Sequence, residues 1–148
     1  MRLSTRGAYG VRAMTDLALN CGESPCCIQS VSDRQGISVS YLEQIFNRLR
    51  RGGLIRSVRG PGGGYVLNKS ADEITVGDII RAVERNDYIS SVSCVNPRER
   101  GEGCSDPRSA QCAARVLWQR IGTRIEEIFD SVTLGDLCND TLALKTKN

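Results

Sequence analysis

The feature that most restricts the fold of this chain is a glycine-rich turn, Gly60-Pro61-Gly62-Gly63-Gly64. Glycine and proline in this density stop regular structure, and the short flanking segments 54–59 and 65–68 have the composition of strands. The sequence therefore predicts one β-hairpin at this point. Elsewhere apolar residues recur at helical spacing, so we expect a mainly α fold with a single small hairpin.

Three helices are predicted ahead of the hairpin. The first follows Ser4 or Thr5, the second lies around residues 28–34 and ends at Gly36, and the third begins at Ser38 or Ser40. The third helix has an apolar face made of Val39, Leu42, Ile45, Phe46 and Leu49. Two helices joined by a short turn are typical of a helix-turn-helix, although an ordinary helical hairpin has the same pattern. The basic hairpin that follows favours a winged helix-turn-helix domain.

A fourth helix starting near Thr75 is predicted to close the core of this domain, which we place at residues 1–85. Residues 86–108 lack apolar periodicity and form a loop that carries cysteines. Helical periodicity returns at residues 109–131, and we assign residues 109–138 to a long helix with a short cap and residues 139–148 to a flexible tail. A helix over residues 109–131 spans about 35 Å.

The long helix carries an apolar stripe that a domain of this size cannot cover alone, so we expect a second copy of the chain to cover much of it. Packing against the first helix of the same chain is the alternative, and both arrangements are compatible. The predicted homodimer interface consists of Leu117, Trp118, Ile121, Ile125 and Ile128.

Composition and charge narrow the possible functions. The chain has no histidine, which excludes Ser-His-Asp and Cys-His mechanisms, and neither a nucleotide loop nor a paired-carboxylate motif is found, so we expect no enzyme. Residues 1–70 have ten Lys or Arg against four Asp or Glu, while residues 71–148 have ten against thirteen. A basic first half favours contact with nucleic acid. No apolar run is long enough to cross a membrane, so we expect a soluble cytoplasmic protein.

The seven cysteines are an odd number, and in a reducing cytoplasm a disulfide framework is the weaker interpretation. Cys94, Cys104 and Cys112 follow the spacing C-x9-C-x7-C, which is not that of a zinc ribbon. Spacing alone leaves an iron-sulfur cluster, a zinc ion and inert thiols as alternatives. The remaining cysteines are interpreted as small apolar or loop residues: Cys21, Cys26, Cys27 and Cys138.

Three segments carry a resemblance to a known family: MRLSTRG at residues 1–7, ISVSYLEQIF at 37–46 and LIRSVRGPGGGY at 54–65. They closely resemble the IscR-like iron-sulfur cluster regulators, within the Rrf2 group of homodimeric winged-helix transcription regulators. The resemblance extends to TLGDL at residues 133–137, and so covers nearly the whole chain. It implies a DNA-binding repressor or activator whose cluster occupancy reports iron-sulfur status and controls cluster assembly genes.

The resemblance also implies a cluster, usually [2Fe-2S], held by Cys94, Cys104 and Cys112. In the family a histidine three residues after the third cysteine completes the ligands, but here Arg115 occupies that position and cannot act as an ordinary ligand. The fourth ligand is therefore open: Glu102, Asp106, a group of the other subunit, a small thiol or water.

The implied DNA site is a pseudo-palindromic operator read by a dimer. We predict base contacts from Ser40, Glu43 and Gln44 on the third helix in the major groove, and from Arg59 of the wing in the minor groove.

Two alternatives to this function remain. One is a nitric-oxide- or iron-responsive regulator of the same fold, although Ala8 stands where relatives that sense nitric oxide have an acidic residue. The other is a metal-binding interaction module that does not bind DNA.

Overall fold

The structure is a computed structural model that describes residues 4–84 and 112–147. Within these residues it consists of helices and one two-stranded antiparallel sheet, which confirms the predicted fold class. In chain order the elements are α1 (Thr5–Asn20), α2 (Ile28–Gln35), α3 (Val39–Arg51), β1 (Ile55–Val58), β2 (Gly64–Leu67), α4 (Val76–Glu84), α5 (Ala113–Ser131) and α6 (Leu134–Thr146).

Local capping sets the ends of the first three helices. The Ser4 hydroxyl accepts a hydrogen bond from the Gly7 N–H at the start of α1, and Ser38 accepts one from the Tyr41 N–H at the start of α3. Ser38, and not Ser40, is therefore the cap of α3, which leaves Ser40 exposed on the first turn. Gly36 ends α2 at φ 65°, a left-handed conformation that glycine adopts without steric cost.

The core lies between α1, α3, α4 and the hairpin. The predicted apolar face of α3 is fully buried at Leu42, Ile45, Phe46 and Leu49, whereas Val39 is half-buried. The Phe46 ring packs edge-on against Tyr65 of β2, with centroids 4.8 Å apart. This contact packs the hairpin, which is the wing of the domain, against α3.

The helix α4 begins with a reciprocal cap. The Thr75 N–H donates to the Asp78 carboxylate at 3.1 Å, and the Asp78 N–H donates to the Thr75 hydroxyl at 3.1 Å. Partial burial raises the pKa of Asp78, but the hydrogen bonds from Thr75 and Arg81 outweigh it, so the pKa lies below its ordinary value. Arg81 also pairs with Asp130 of α5 at 2.7 Å, which ties the end of the long helix to the winged domain.

The chain beyond α5 differs from the predicted tail, because residues 134–146 form α6. Thr133 and Asp136 make a capping box at its start, and Leu134 is fully buried, with its N–H donating to the Ile74 carbonyl at 2.7 Å. The helix then packs along α1. The expectation of a flexible tail at 139–148 is therefore corrected for residues 139–146: a well-capped start and a buried anchor stabilise a helix whose own apolar pattern is weak.

In the part of the chain that the structure describes, none of the helices combines the length and apolar character needed to span a bilayer.

Candidate nucleic-acid interface

The outward face of α3 presents polar side chains opposite its buried face. Ser40, Glu43, Gln44 and Asn47 are all exposed, and their spacing of three, four and seven residues aligns them along one side of the helix. The structure therefore brings together the three predicted base-reading residues of this helix, with Asn47 continuing the same face.

Arg48 does not belong to that face. Its side chain is half-buried and donates to the Val83 carbonyl of α4 at 3.1 Å. A carbonyl near the end of α4 attracts the guanidinium by its negative partial charge. Arg48 thus positions α3 on α4.

The wing adds positive charge beside this face. Arg59 is exposed where β1 enters the glycine-rich turn, and Arg56 is exposed within β1, paired in register with Val66 of β2. From Arg50 to Lys69 the sequence contains Arg50, Arg51, Arg56, Arg59 and Lys69 and no acidic residue. A cationic segment of this kind attracts the phosphates of a duplex.

An ion pair with a buried carboxylate holds α1 against α2, the first helix of the helix-turn-helix. The Asp16 side chain is only 1% exposed, and Arg34 pairs with it at 2.6 Å. The Gln35 amide and the Asn20 amide donate to the same carboxylate at 2.9 and 3.0 Å. The hydrogen bonding of the Arg34 guanidinium to the Asp16 carboxylate, which accepts, is the main cause that raises the pKa of Arg34. A fully partnered carboxylate fixes the angle between the two helices.

The predicted cluster ligands fall only partly within the described residues. Cys112 is an exposed free thiol at the start of α5, where its side chain makes no capping hydrogen bond, and Arg115 is half-buried on the first turn. Cys94 and Cys104 lie outside residues 4–84 and 112–147. Inside those ranges no three side chains of the metal-binding types form a cluster.

The remaining four cysteines divide into three environments. Cys138 is half-buried in α6, and burial, followed by the nearby Asp72 carboxylate, raises the pKa of its thiol. Cys27 is free and exposed. Cys21 and Cys26, however, are joined by a disulfide. Their interpretation as apolar or loop residues missed this pairing, and the available signal was a short spacing across a turn that contains Gly22 and Pro25.

The predicted dimer residues of α5 lie on an uncovered helix. Leu117, Trp118 and Ile128 are 52%, 42% and 61% exposed, while Ile121 and Ile125 are half-buried. Only Gly122 of α5 is buried in the single chain. The apolar stripe predicted from the sequence is therefore present and available to a second surface.

Comparison with known proteins places the chain in a family. Residues 3–140 match the family model Rrf2, described as an iron-dependent transcriptional regulator. The chain is 45% identical over 140 residues to the HTH-type transcriptional regulator IscR of Erwinia tasmaniensis, covering 95% of this chain and 80% of that protein. It is 44% identical to IscR of Escherichia coli O1:K1, covering 95% of this chain and 82% of the relative.

Solved structures agree with this relationship. T. potens IscR superposes with a TM-score of 0.74 at 39% identity, covering 95% of this chain and 88% of that one. CymR, the global cysteine regulator of B. subtilis, gives a TM-score of 0.72 at 39% identity over 94% of this chain and 97% of its own. These relatives are named as regulators, in agreement with the expectation that the chain is not an enzyme. The chain belongs to the Rrf2 family of transcriptional regulators and is IscR-like within it.

Proposed function

We propose that this DNA-binding regulator reads a pseudo-palindromic operator as a homodimer, acts as a repressor of iron-sulfur cluster assembly genes, and responds to a [2Fe-2S] cluster held by Cys94, Cys104 and Cys112. The observation that carries the DNA-reading part is the exposed polar face of α3 next to a wing without acidic residues. Helix α3 and the wing that packs on it thus combine side chains suited to base edges with cations suited to phosphates.

The roles of the DNA-reading residues follow from their chemistry. In the major groove Glu43 can accept a hydrogen bond from a cytosine amino group, and the Gln44 amide can pair with adenine. Ser40, on the first turn of α3, can contact either kind of base. Arg59 extends from the wing, where a guanidinium suits the negative potential of a narrow minor groove. The two heads of a dimer would place these residues on successive half-sites.

This interface can be tested on a duplex selected from random sequences with the unmodified protein. Gln44→Ala and Arg59→Ala should each weaken binding to that duplex by about 1 to 3 kcal/mol, because each removes a contact made at the bases. Lys145→Ala is a charge-matched control for Arg59→Ala, since Lys145 is exposed on α6, outside α3 and the wing. Equal affinities for all three variants and the unmodified protein would contradict this placement.

The chemistry of the cysteines fits a cluster. Thiolates are the usual ligands of iron-sulfur clusters, and the Cys112 sulfur is exposed, free of a disulfide and unused by the helix cap. When bound, the cluster supplies a redox-active and labile centre. Cys112 is the N-cap residue of α5, so a ligand at this position links the cluster to the helix that carries the dimer stripe. Binding or loss of the cluster could then change the relative position of the two winged domains in the homodimer.

Anaerobic purification with iron and sulfide counted per chain tests this site. Cys112→Ala should abolish the visible absorption of the bound cluster, and the helices should keep their circular dichroism. Cys27→Ser is the matched control, because Cys27 is also a free and exposed thiol. A colourless unmodified protein that contains zinc would refute the cluster, and bleaching by Cys27→Ser in place of Cys112→Ala would refute the ligand assignment.

The alignment of Cys112 with the third ligand has a separate test. Arg115→His introduces an imidazole at the position where the family has its histidine, one helical turn from the exposed Cys112. If the alignment is correct, the absorption spectrum should shift and cluster loss in air should slow. An unchanged spectrum together with an unchanged rate of loss would contradict it.

A further inference from the structure

A cleft lies between the α1–α2 turn and the turn of the wing. Its volume is about 410 Å³, and three of the seven cysteines line it together with an arginine and wing glycines: Cys21, Cys26, Cys27, Arg34, Gly62 and Gly63. The cleft is open to small solutes. Sulfur chemistry is therefore accessible inside the winged domain itself.

Two of these cysteines are placed for reversible pairing. The Cα atoms of Cys21 and Cys26 are 5.6 Å apart, which lies within the range that a disulfide requires, and the two sulfurs are bonded. Arg34 points a guanidinium nitrogen at both, 3.3 Å from the Cys26 sulfur and 3.9 Å from the Cys21 sulfur. Asp16 holds that guanidinium in place. A fixed cation beside sulfur favours the thiolate, which is the reactive form.

The backbone of Cys26 is part of the wing. The Cys26 N–H donates to the Tyr65 carbonyl, and the Tyr65 N–H donates to the Cys26 carbonyl, both at 2.9 Å. Gly64 runs so close to Cys26 that a Cβ at position 64 would overlap the Cys26 carbonyl. Tyr65 in turn packs on Phe46 of α3. A covalent bond at Cys26 is thus connected to the wing directly through Tyr65, and to α3 through the contact of Tyr65 with Phe46.

We propose that Cys21 and Cys26 form a thiol-disulfide site that reacts with low-molecular-weight disulfides and sets the rigidity of the wing, independently of Cys94, Cys104 and Cys112. Cys21 is half-buried and Cys26 is 5% exposed, so Cys21 meets the reagent first. Its thiolate attacks the reagent disulfide, forms a mixed disulfide and releases one thiolate. The Cys26 thiolate then attacks the Cys21 sulfur, forms the internal bond and releases the second. The protein loses two electrons and two protons, and the reagent becomes two thiols.

The test uses the whole protein equilibrated anaerobically with mixtures of reduced and oxidised glutathione. After acid quenching and alkylation, peptide masses should show Cys21 and Cys26 losing their alkylation sites together as the mixture becomes more oxidising. Amide exchange in β2 and at Cys26 should become about tenfold slower in the oxidised form, because the closed loop restricts opening of this part of the wing. The same transition should occur in Cys112→Ala, which separates this site from the proposed cluster.

Two variants sharpen the result. Cys27→Ser keeps both partners and should retain the whole transition, whereas Cys21→Ser should make wing exchange insensitive to the glutathione ratio. The unmodified protein provides the primary readout, so it does not depend on how well Cys21→Ser folds. Cys21 and Cys26 remaining separately alkylated at every ratio would overturn the proposal. A disulfide that forms without any change in wing exchange would equally overturn its coupling to the wing.

Discussion

Helices α3 and α5 carry the same kind of sequence signal and use it differently. Both have apolar residues at helical spacing, yet α3 buries Leu42 and Phe46 completely, while α5 leaves Trp118 and Ile128 42% and 61% exposed. The periodic pattern thus shows that a helix has an apolar face, but not which molecule covers it. In α3 the cover comes from α1, α4 and the hairpin. In α5 the length of the helix exceeds what the winged domain can reach.

The substitution with the largest expected effect on stability lies in the core of the winged domain. Phe46→Ala should lower the free energy of unfolding by about 3 to 5 kcal/mol, because it removes a fully buried ring and its contact with Tyr65. Phe46→Leu keeps most of the volume and should cost less. Denaturant unfolding at fixed protein concentration measures both. If the alanine variant were as stable as the unmodified protein, Phe46 would not be part of a packed core.

The uncovered stripe of α5 gives the second prediction. Ile125→Glu should raise the dissociation constant of the homodimer by about a hundredfold or more, since it places a charge at the centre of a desolvated apolar patch. Sedimentation at several concentrations measures this. Gln119→Glu is the matched control, because Gln119 is exposed on the opposite side of the same helix. An unmodified protein that is a soluble monomer at micromolar concentration would contradict the dimer.

Ion pairs extend the comparison to polar contacts. Arg34→Ala should lower the free energy of unfolding by about 2 kcal/mol, because it leaves the Asp16 carboxylate buried without its cation. Arg124→Ala removes an ion pair with Glu127 on α5, where both side chains are exposed, and should cost less than about 0.5 kcal/mol. Equal losses in the two variants would mean that burial does not distinguish these pairs.

Sequence reasoning predicted what depends on local chemistry. The caps, the glycine at position 36, the apolar face of α3 and the hairpin all follow from residue type and spacing, and the structure confirms them. It missed features that arise between distant segments. Arg48 turns toward Val83 of α4, and α6 is anchored through Leu134 on Ile74. It also missed the Cys21–Cys26 bond, because the short spacing of the two cysteines is a signal for pairing but does not by itself specify how the α1–α2 turn closes.

The smallest predicted effect lies at the junction of the two regions, where Thr75 and Asp78 cap α4 and Arg81 bridges to Asp130. The pKa of Asp78 is lowered in the folded protein. A lowered pKa means that the charged carboxylate stabilises the fold above its unfolded pKa of about 3.9 and that this contribution is lost as the pH falls through the folded value. Asp78→Asn should therefore lower the free energy of unfolding by about 1 kcal/mol at neutral pH. On acidification the free energy of unfolding of this variant should fall less than that of the unmodified protein.

Thr75→Ala should cost about the same at neutral pH, whereas Thr75→Ser keeps the hydroxyl and should restore most of the loss. Unfolding curves between about pH 6 and 3 separate the two halves of the cap, because only the Asp78 variant removes a titrating group at this site. Parallel pH dependence in Asp78→Asn and the unmodified protein would show that the carboxylate contributes through its hydrogen bonds alone. In that case Arg81 would hold α5 through its ion pair with Asp130 without help from the charge of Asp78.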